Sequence, residues 1–209
     1  MNALRLFMAR SGQVSLIVLV LLAWDVARAR AQSFAGSAHF STAQWSEFDG
    51  SDFGLGGRLT WAPSPMLGLD ADVTWYPRDF PPETVVPFSG SRIESVFGVT
   101  LGPRVKTIRP FVKAGAGFLR VGETPIAFAC VAIFPPPLAC VLAGGHTLPA
   151  YEIGGGVEIN MTGRTFLRAD IADRILKYPG PAFDSNFERR DEGFFGHGLR
   201  FTLGGGVRF

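Results

Sequence analysis

A helix able to cross a membrane is what this 209-residue chain most plainly lacks. Its clearest apolar run, Val14 to Trp24, covers eleven residues, where a spanning helix needs about 20. A second apolar stretch, Ile126 to Leu142, is broken by Pro135-Pro136-Pro137. Charge is also scarce, at 18% of residues against about 25% in ordinary soluble domains. There are only three histidines, His39, His146 and His197, and two cysteines, Cys130 and Cys140. No histidine stands in a metal-binding helix or nucleophile-elbow pattern. Two thiols with only His146 in the same region make a poor metal-ligand set. The runs Gly154 to Gly156 and Gly204 to Gly206 lie inside strand-like segments rather than before helices, so they are not phosphate loops. These absences predict no metal, no cofactor and no catalytic residues, and so a protein that is not an enzyme.

The first thirty residues read as an export leader. Arg5 and Arg10 precede the apolar run, and Ala29-Arg30-Ala31 places small residues where a signal peptidase reads them. The expected division is a cleaved signal peptide over 1–31 and one domain over 32–209. No cysteine follows the leader closely, which argues against a lipoprotein. The leader takes with it Arg5, Arg10, Arg28, Arg30 and Asp25, leaving 16 of the 20 basic and 17 of the 18 acidic side chains. A mature chain close to neutrality carries no basic stripe for nucleic acid. Export also makes a Cys130–Cys140 disulfide the expected state. Closing a loop of that size contributes about 2–3 kcal/mol through chain entropy.

What is present is alternation. From Phe34 onward, segments of about ten residues place apolar side chains on one face and polar or small ones on the other. That is the length a tilted membrane strand needs. The clearest sets Leu67, Leu69, Ala71, Val73 and Trp75 against Asp70, Asp72 and Thr74. Eight such segments occur, and the last runs from Leu199 to Phe209. Tight connections after the second, fourth and sixth alternate with long ones after the first, third, fifth and seventh, including 122–148 and 176–197. Short turns on one side and long loops on the other are how outer-membrane barrels are built. The predicted fold is all-β: an eight-stranded antiparallel up-and-down transmembrane β-barrel.

The alternative is a water-soluble barrel or sandwich with its apolar face inward. Against it, the polar face is rich in Gly, with isolated Arg, Asp and Glu and little Lys. Such a face suits a narrow interior filled by paired side chains. Trp61, Trp75, Tyr151 and Phe209 also fall near segment ends, where interfacial girdles lie.

The final segment, Leu199-Arg200-Phe201-Thr202-Leu203-Gly204-Gly205-Gly206-Val207-Arg208-Phe209, ends in Phe with apolar residues at alternate positions. It resembles the terminal signal read by the outer-membrane insertion machinery, and the resemblance implies that Phe201, Val207 and Phe209 carry that signal. The hairpin Gly56 to Trp75 and the segment Arg109 to Gly117 match the same style. From Phe34 to Phe209 the chain resembles the outer-membrane β-barrel domain family, the small eight-stranded barrels of the OmpA/OmpX kind. The resemblance implies a place in the bacterial outer membrane, among its lipids and lipopolysaccharide, and marks architecture rather than activity.

The polar face supplies one candidate constellation, a lumen charge network of Arg58, Asp70, Asp72, Glu94, Arg104, Lys113, Glu152, Glu158, Arg168, Asp170, Arg200 and Arg208. Adjacent strands predict Arg58 paired with Asp70 or Asp72, and Arg168 with Glu158. Eight strands enclose room for side chains and little more, so the network reads as a compensated plug; a narrow porin-like path for small solutes is the competing reading. The apolar run Ile126 to Phe134 is either an exposed interaction patch or a lid over the barrel mouth. A structural or surface-interaction role through long outer loops, toward an unidentified extracellular ligand, is the expected function. A lipid-modifying enzyme built at the rim from His197, Ser185 and Glu192 is the weakest alternative.

Overall fold

The computed structural model describes residues 33–45, 47–48, 50–77, 91–123, 134–184 and 186–209. The signal peptide expected over 1–31, Cys130, Ser185 and all of the apolar run before Phe134 lie outside the described residues. The wall consists of β1 (Ser33–Trp45), β2 (Gly50–Ala62), β3 (Leu67–Tyr76), β4 (Arg92–Leu101), β5 (Ile108–Val121), β6 (Thr147–Asn160), β7 (Thr165–Tyr178) and β10 (Phe194–Arg208). A two-residue ladder, β8 (Ala182–Phe183) with β9 (Arg189–Arg190), and the helix α1 (Leu138–Ala143) sit in the loops.

These eight strands close into one antiparallel barrel in which each pairs with its chain neighbour. The last returns to the first, with Ala35 opposite Arg208 and Ala43 opposite Arg200. Closure leaves no edge, so backbone amides and carbonyls are satisfied within the sheet, as a lipid environment demands. On one side of the barrel all three connections are tight: 63–66, 102–107 and 161–164. Pro63 and Pro103 stop β2 and β4, since proline cannot donate to a ladder. At 161–164 the Thr162 hydroxyl accepts the amides of Arg164 and Thr165 at 3.3 and 3.1 Å.

The strand count and hairpin order match the sequence expectation, but the strands are longer than expected at the loop end. The first connection, expected to be long, is only 46–49. Residues 176–178 and 194–197, expected in the last loop, belong to β7 and β10. Likewise Thr147 and Leu148 start β6, so the third loop is 122–146.

The two faces settle the sidedness. Phe34, Phe40, Leu59, Phe97, Val112, Ile153 and Leu203 point out of the barrel and are exposed, whereas Arg58, Asp72, Glu94, Asp170 and Arg200 are buried within it. A soluble barrel would show the reverse. Aromatic residues mark both ends of the apolar belt. Phe34 stacks on Trp61 with ring centroids 6.3 Å apart near the chain termini; Trp75 and Tyr151 stand exposed toward the opposite end.

Candidate functional site

The inward face of every strand is set by the period-two pleat, and the residues it brings together are mostly ions. Arg200 on β10 lies at the centre. Its side chain is 0% exposed and reaches Asp72 at 2.7 Å and Glu152 at 3.4 Å, with Glu94 at 3.7 Å. It also donates to Ser41 and Thr74 at 3.1 and 2.8 Å. Arg58 spans the lumen from β2, bonding Asp72 at 2.9 Å and Asp170 at 3.1 Å. Lys113 on β5 bridges Asp170 and Glu152 at 2.6 and 3.2 Å. Arg168 holds Asp70 at 2.8 Å and Asp170 at 3.3 Å, with its guanidinium 4.3 Å from the Phe111 ring centre. Near the chain termini Arg208 bonds Glu158 and Asn160.

Eleven of the twelve network residues expected from the sequence therefore meet in the lumen. Arg104 does not. β4 ends at Leu101, Pro103 follows, and Arg104 stands exposed on the 102–107 turn. The pairing of Arg168 with Glu158 is also corrected. The two are opposite in the β6–β7 register, yet Arg168 turns across the lumen to Asp70 and leaves Glu158 to Arg208.

Several lumen residues escape the sequence reading. Arg174 bonds Glu94 at 3.0 Å and lies 4.1 Å from the centre of a Trp45 ring. Arg92 bonds Asp52 at 2.9 Å, and the Trp45 indole donates to the same carboxylate at 3.2 Å. Tyr76 donates to Glu94 at 3.0 Å. Arg109 donates to the carbonyls of Gly102 and Met66. The signal was available: each of these continues the polar face of its strand by one or two pleats. Glycines on the same face make room for the ions. A Cβ at Gly56 would run into the His39 ring, and one at Gly206 would lie 2.6 Å from Ser37 Cβ.

No protein-family model matches the chain, and no curated protein matches its sequence. Solved structures do. Neisserial surface protein A superposes with a TM-score of 0.52 at 13% identity, over 85% of this chain and 97% of that one. Pseudomonas aeruginosa outer membrane protein OprG gives 0.49 at 12% identity, over 86% and 96% of the two chains. The N-terminal β-barrel domain of P. aeruginosa OprF gives 0.48 at 14% identity, over 86% and 100%. The chain has the fold of the small outer-membrane β-barrels.

In this barrel the ionic layer is topped by an apolar one. At the loop end the inward face changes character, to Trp45, Leu119, Val121, Leu148, Ala150, Leu176 and Tyr178. Helix α1 descends onto these residues with Leu138, Leu142 and Ala143. Helix α1 thus covers the barrel at the loop end, while the run Ile126 to Phe134, expected as a patch or a lid, lies outside the described residues except for Phe134, which is exposed. Cys140 on α1 is buried and disulfide-bonded.

The last loop, 179–193, is polar. Asp184 accepts the amides of Asn186 and Glu188, both at 2.9 Å, and the Arg190 guanidinium at 2.9 Å. Burial is the largest single influence on this carboxyl and opposes its charge. The Glu188 amide, Arg190 and the Asn186 amide together outweigh it and hold Asp184 below the usual carboxylate range. A depressed pKa contributes order that is present above the unfolded value and is lost as pH falls through the folded one. The protection factors of the Asn186 and Glu188 amides, measured against their intrinsic exchange rates at each pH, are therefore expected to hold through the neutral range and to fall only once pH drops below the ordinary carboxylate range. In Asp184→Asn the protection of both amides is expected to be reduced already at about pH 6. His197, considered with Ser185 and Glu192 as a catalytic set, instead lies on the outer surface with its Nδ1 2.9 Å from Asp173 Oδ2.

Proposed function

We propose that this protein is a sealed outer-membrane barrel that acts without catalysis, as a structural or surface-interaction protein presenting its loops to the exterior. The observation that carries the reading is Arg200, fully buried and tied to strands on several sides of the lumen. With Asp72, Glu94 and Glu152 it fills the axis that a solute would follow, and the α1 layer covers the outer mouth. Seven carboxylates (Asp52, Asp70, Asp72, Glu94, Glu152, Glu158 and Asp170) each hold at least one of Arg58, Arg92, Lys113, Arg168, Arg174, Arg200 and Arg208. A compensated set of this kind has little reason to exchange its partners for water or a passing ion.

Planar-bilayer recordings of the purified barrel are expected to show no discrete openings. Steady unitary conductance would replace this reading with a narrow porin-like channel. Outer-membrane lipid and lipopolysaccharide are the partners along the wall. The insertion machinery is the partner during assembly, through Phe201 and Val207, exposed on the outer face of β10, and Phe209, exposed just beyond it.

A further inference from the structure

We propose that a polar pocket at the outer ends of β5 and β6 binds the phosphoryl group of an outer-leaflet lipid headgroup, with Arg120 as its cation. The proposal rests on the preceding reading only for which end of the barrel faces outward. The pocket measures about 280 Å³ and is lined by Arg120, Gly122, Glu123, Gly145, His146 and Thr147 among others.

Arg120 has the outward register of β5. The outward positions before it are Val112, Ala114, Ala116 and Phe118, all on the apolar belt. Its Cα partners are Ile93 and Thr147. Arg120 is thus the first polar group beyond the belt on this strand, at the level where lipid headgroups begin. The lumen guanidiniums of Arg58, Arg92, Arg168, Arg174 and Arg200 each hold a carboxylate. Arg120 forms no ion pair among the described residues, although Glu123 shares its pocket. A guanidinium in the lipid-facing register that forms no ion pair is a ready partner for phosphate oxygens, whose geometry its planar fork fits.

The rim is held in place for this task. The Val121 amide donates to the His146 carbonyl at 2.8 Å, and the Gly122 amide to Ser91 at 3.0 Å. Gly145 has φ +75°, and a Cβ there would lie 2.5 Å from Glu123 Cγ, so glycine lets Glu123 pack against the rim. His146 Nδ1 is buried with no hydrogen-bond partner among the described residues. Glu123 disfavours a bare phosphate dianion. It favours a phosphate that brings its own cation, such as an ethanolamine ammonium or a divalent ion bridging lipid A.

The test is native mass spectrometry of the full barrel in neutral detergent micelles, titrated in separate arms with lipid A plus Mg²⁺, lipid A plus EDTA, dephosphorylated lipid A, phosphatidylethanolamine and inorganic phosphate. Arg120→Gln is expected to weaken retention of the phosphorylated lipid about tenfold or more, the loss of a charge-assisted contact. Arg104→Gln, on the opposite rim, should leave it unchanged, and Arg120→Lys should restore part of it. The lipid A and phosphatidylethanolamine arms identify which headgroup supplies the phosphate. Equal retention by wild type and Arg120→Gln, or equal binding of dephosphorylated lipid A, overturns the proposal. Heat-modifiable gel mobility of each variant reports separately on whether the barrel itself has formed.

Discussion

Arg200→Met is expected to lower the unfolding free energy of the barrel by about 3–5 kcal/mol, the range for removing one partner of a buried ion set. Methionine keeps much of the side-chain volume, so the loss is electrostatic rather than a cavity effect. It leaves Asp72 with Arg58, Glu94 with Arg174 and Glu152 with Lys113. Each carboxylate keeps one cation but loses the charge that linked the three. Ser41 and Thr74 lose a donor as well. Urea unfolding in phosphatidylcholine vesicles, followed by heat-modifiable mobility, measures the change. The control is Arg189→Gln. Arg189 pairs with Asp191 at 2.6 Å, but both side chains are more than half exposed, so its loss should cost under about 1 kcal/mol. If Arg200→Met costs no more than the control, water must enter the lumen and solvate the stranded carboxylates. The sealed-barrel reading would fall with that result.

The same lumen shows where sequence reading works and where it stops. β3 is legible because both its faces are constrained at once: lipid requires Leu69, Val73 and Trp75, and the lumen requires Asp70 and Asp72. The Arg58–Asp72 pair follows from hairpin adjacency, since the two are opposite in the β2–β3 register. The Arg168–Asp70 pair does not follow. β7 and β3 are not neighbours in the wall, and only closure brings their inward faces within reach.

The missed outer ends have a different cause. Alternation in hydropathy needs two unlike surroundings. Above the ionic layer the interior of β7 turns apolar at Ala172, Leu176 and Tyr178 while Asp173 and Lys177 appear on its outer face, so the contrast between faces is lost. Strand geometry continues there, but its hydropathy signature fades, and Arg174 is hidden within the run. The α1 lid is harder still. The sequence carries no mark of which way Leu138 and Leu142 face, and it is their packing in one cluster with Trp45, Leu119 and Leu148 that makes α1 a cover.

Phe97→Arg carries the complementary prediction, on the outside of the wall. Phe97 is 62% exposed at the middle of β4, opposite Ala71 and Ala116 in register. These small neighbours leave an introduced guanidinium nothing polar to reach within the belt. Arginine near the bilayer midplane is expected to cost about 2–4 kcal/mol, and the same change at Leu101, at the short-turn border of the belt, about 0–1 kcal/mol. Folding yield and urea unfolding in phosphatidylcholine vesicles read both variants. A barrel with water on its outer face would give no depth dependence, and Phe97→Arg would even relieve an exposed aromatic. Equal effects at 97 and 101 would therefore refute the lipid-facing assignment. Taken with Arg200→Met, the expected pattern is an inversion of soluble-protein rules. Deleting a charge from the interior and adding one to the exterior should both destabilise, because this wall keeps its ions inside and its hydrocarbon outside.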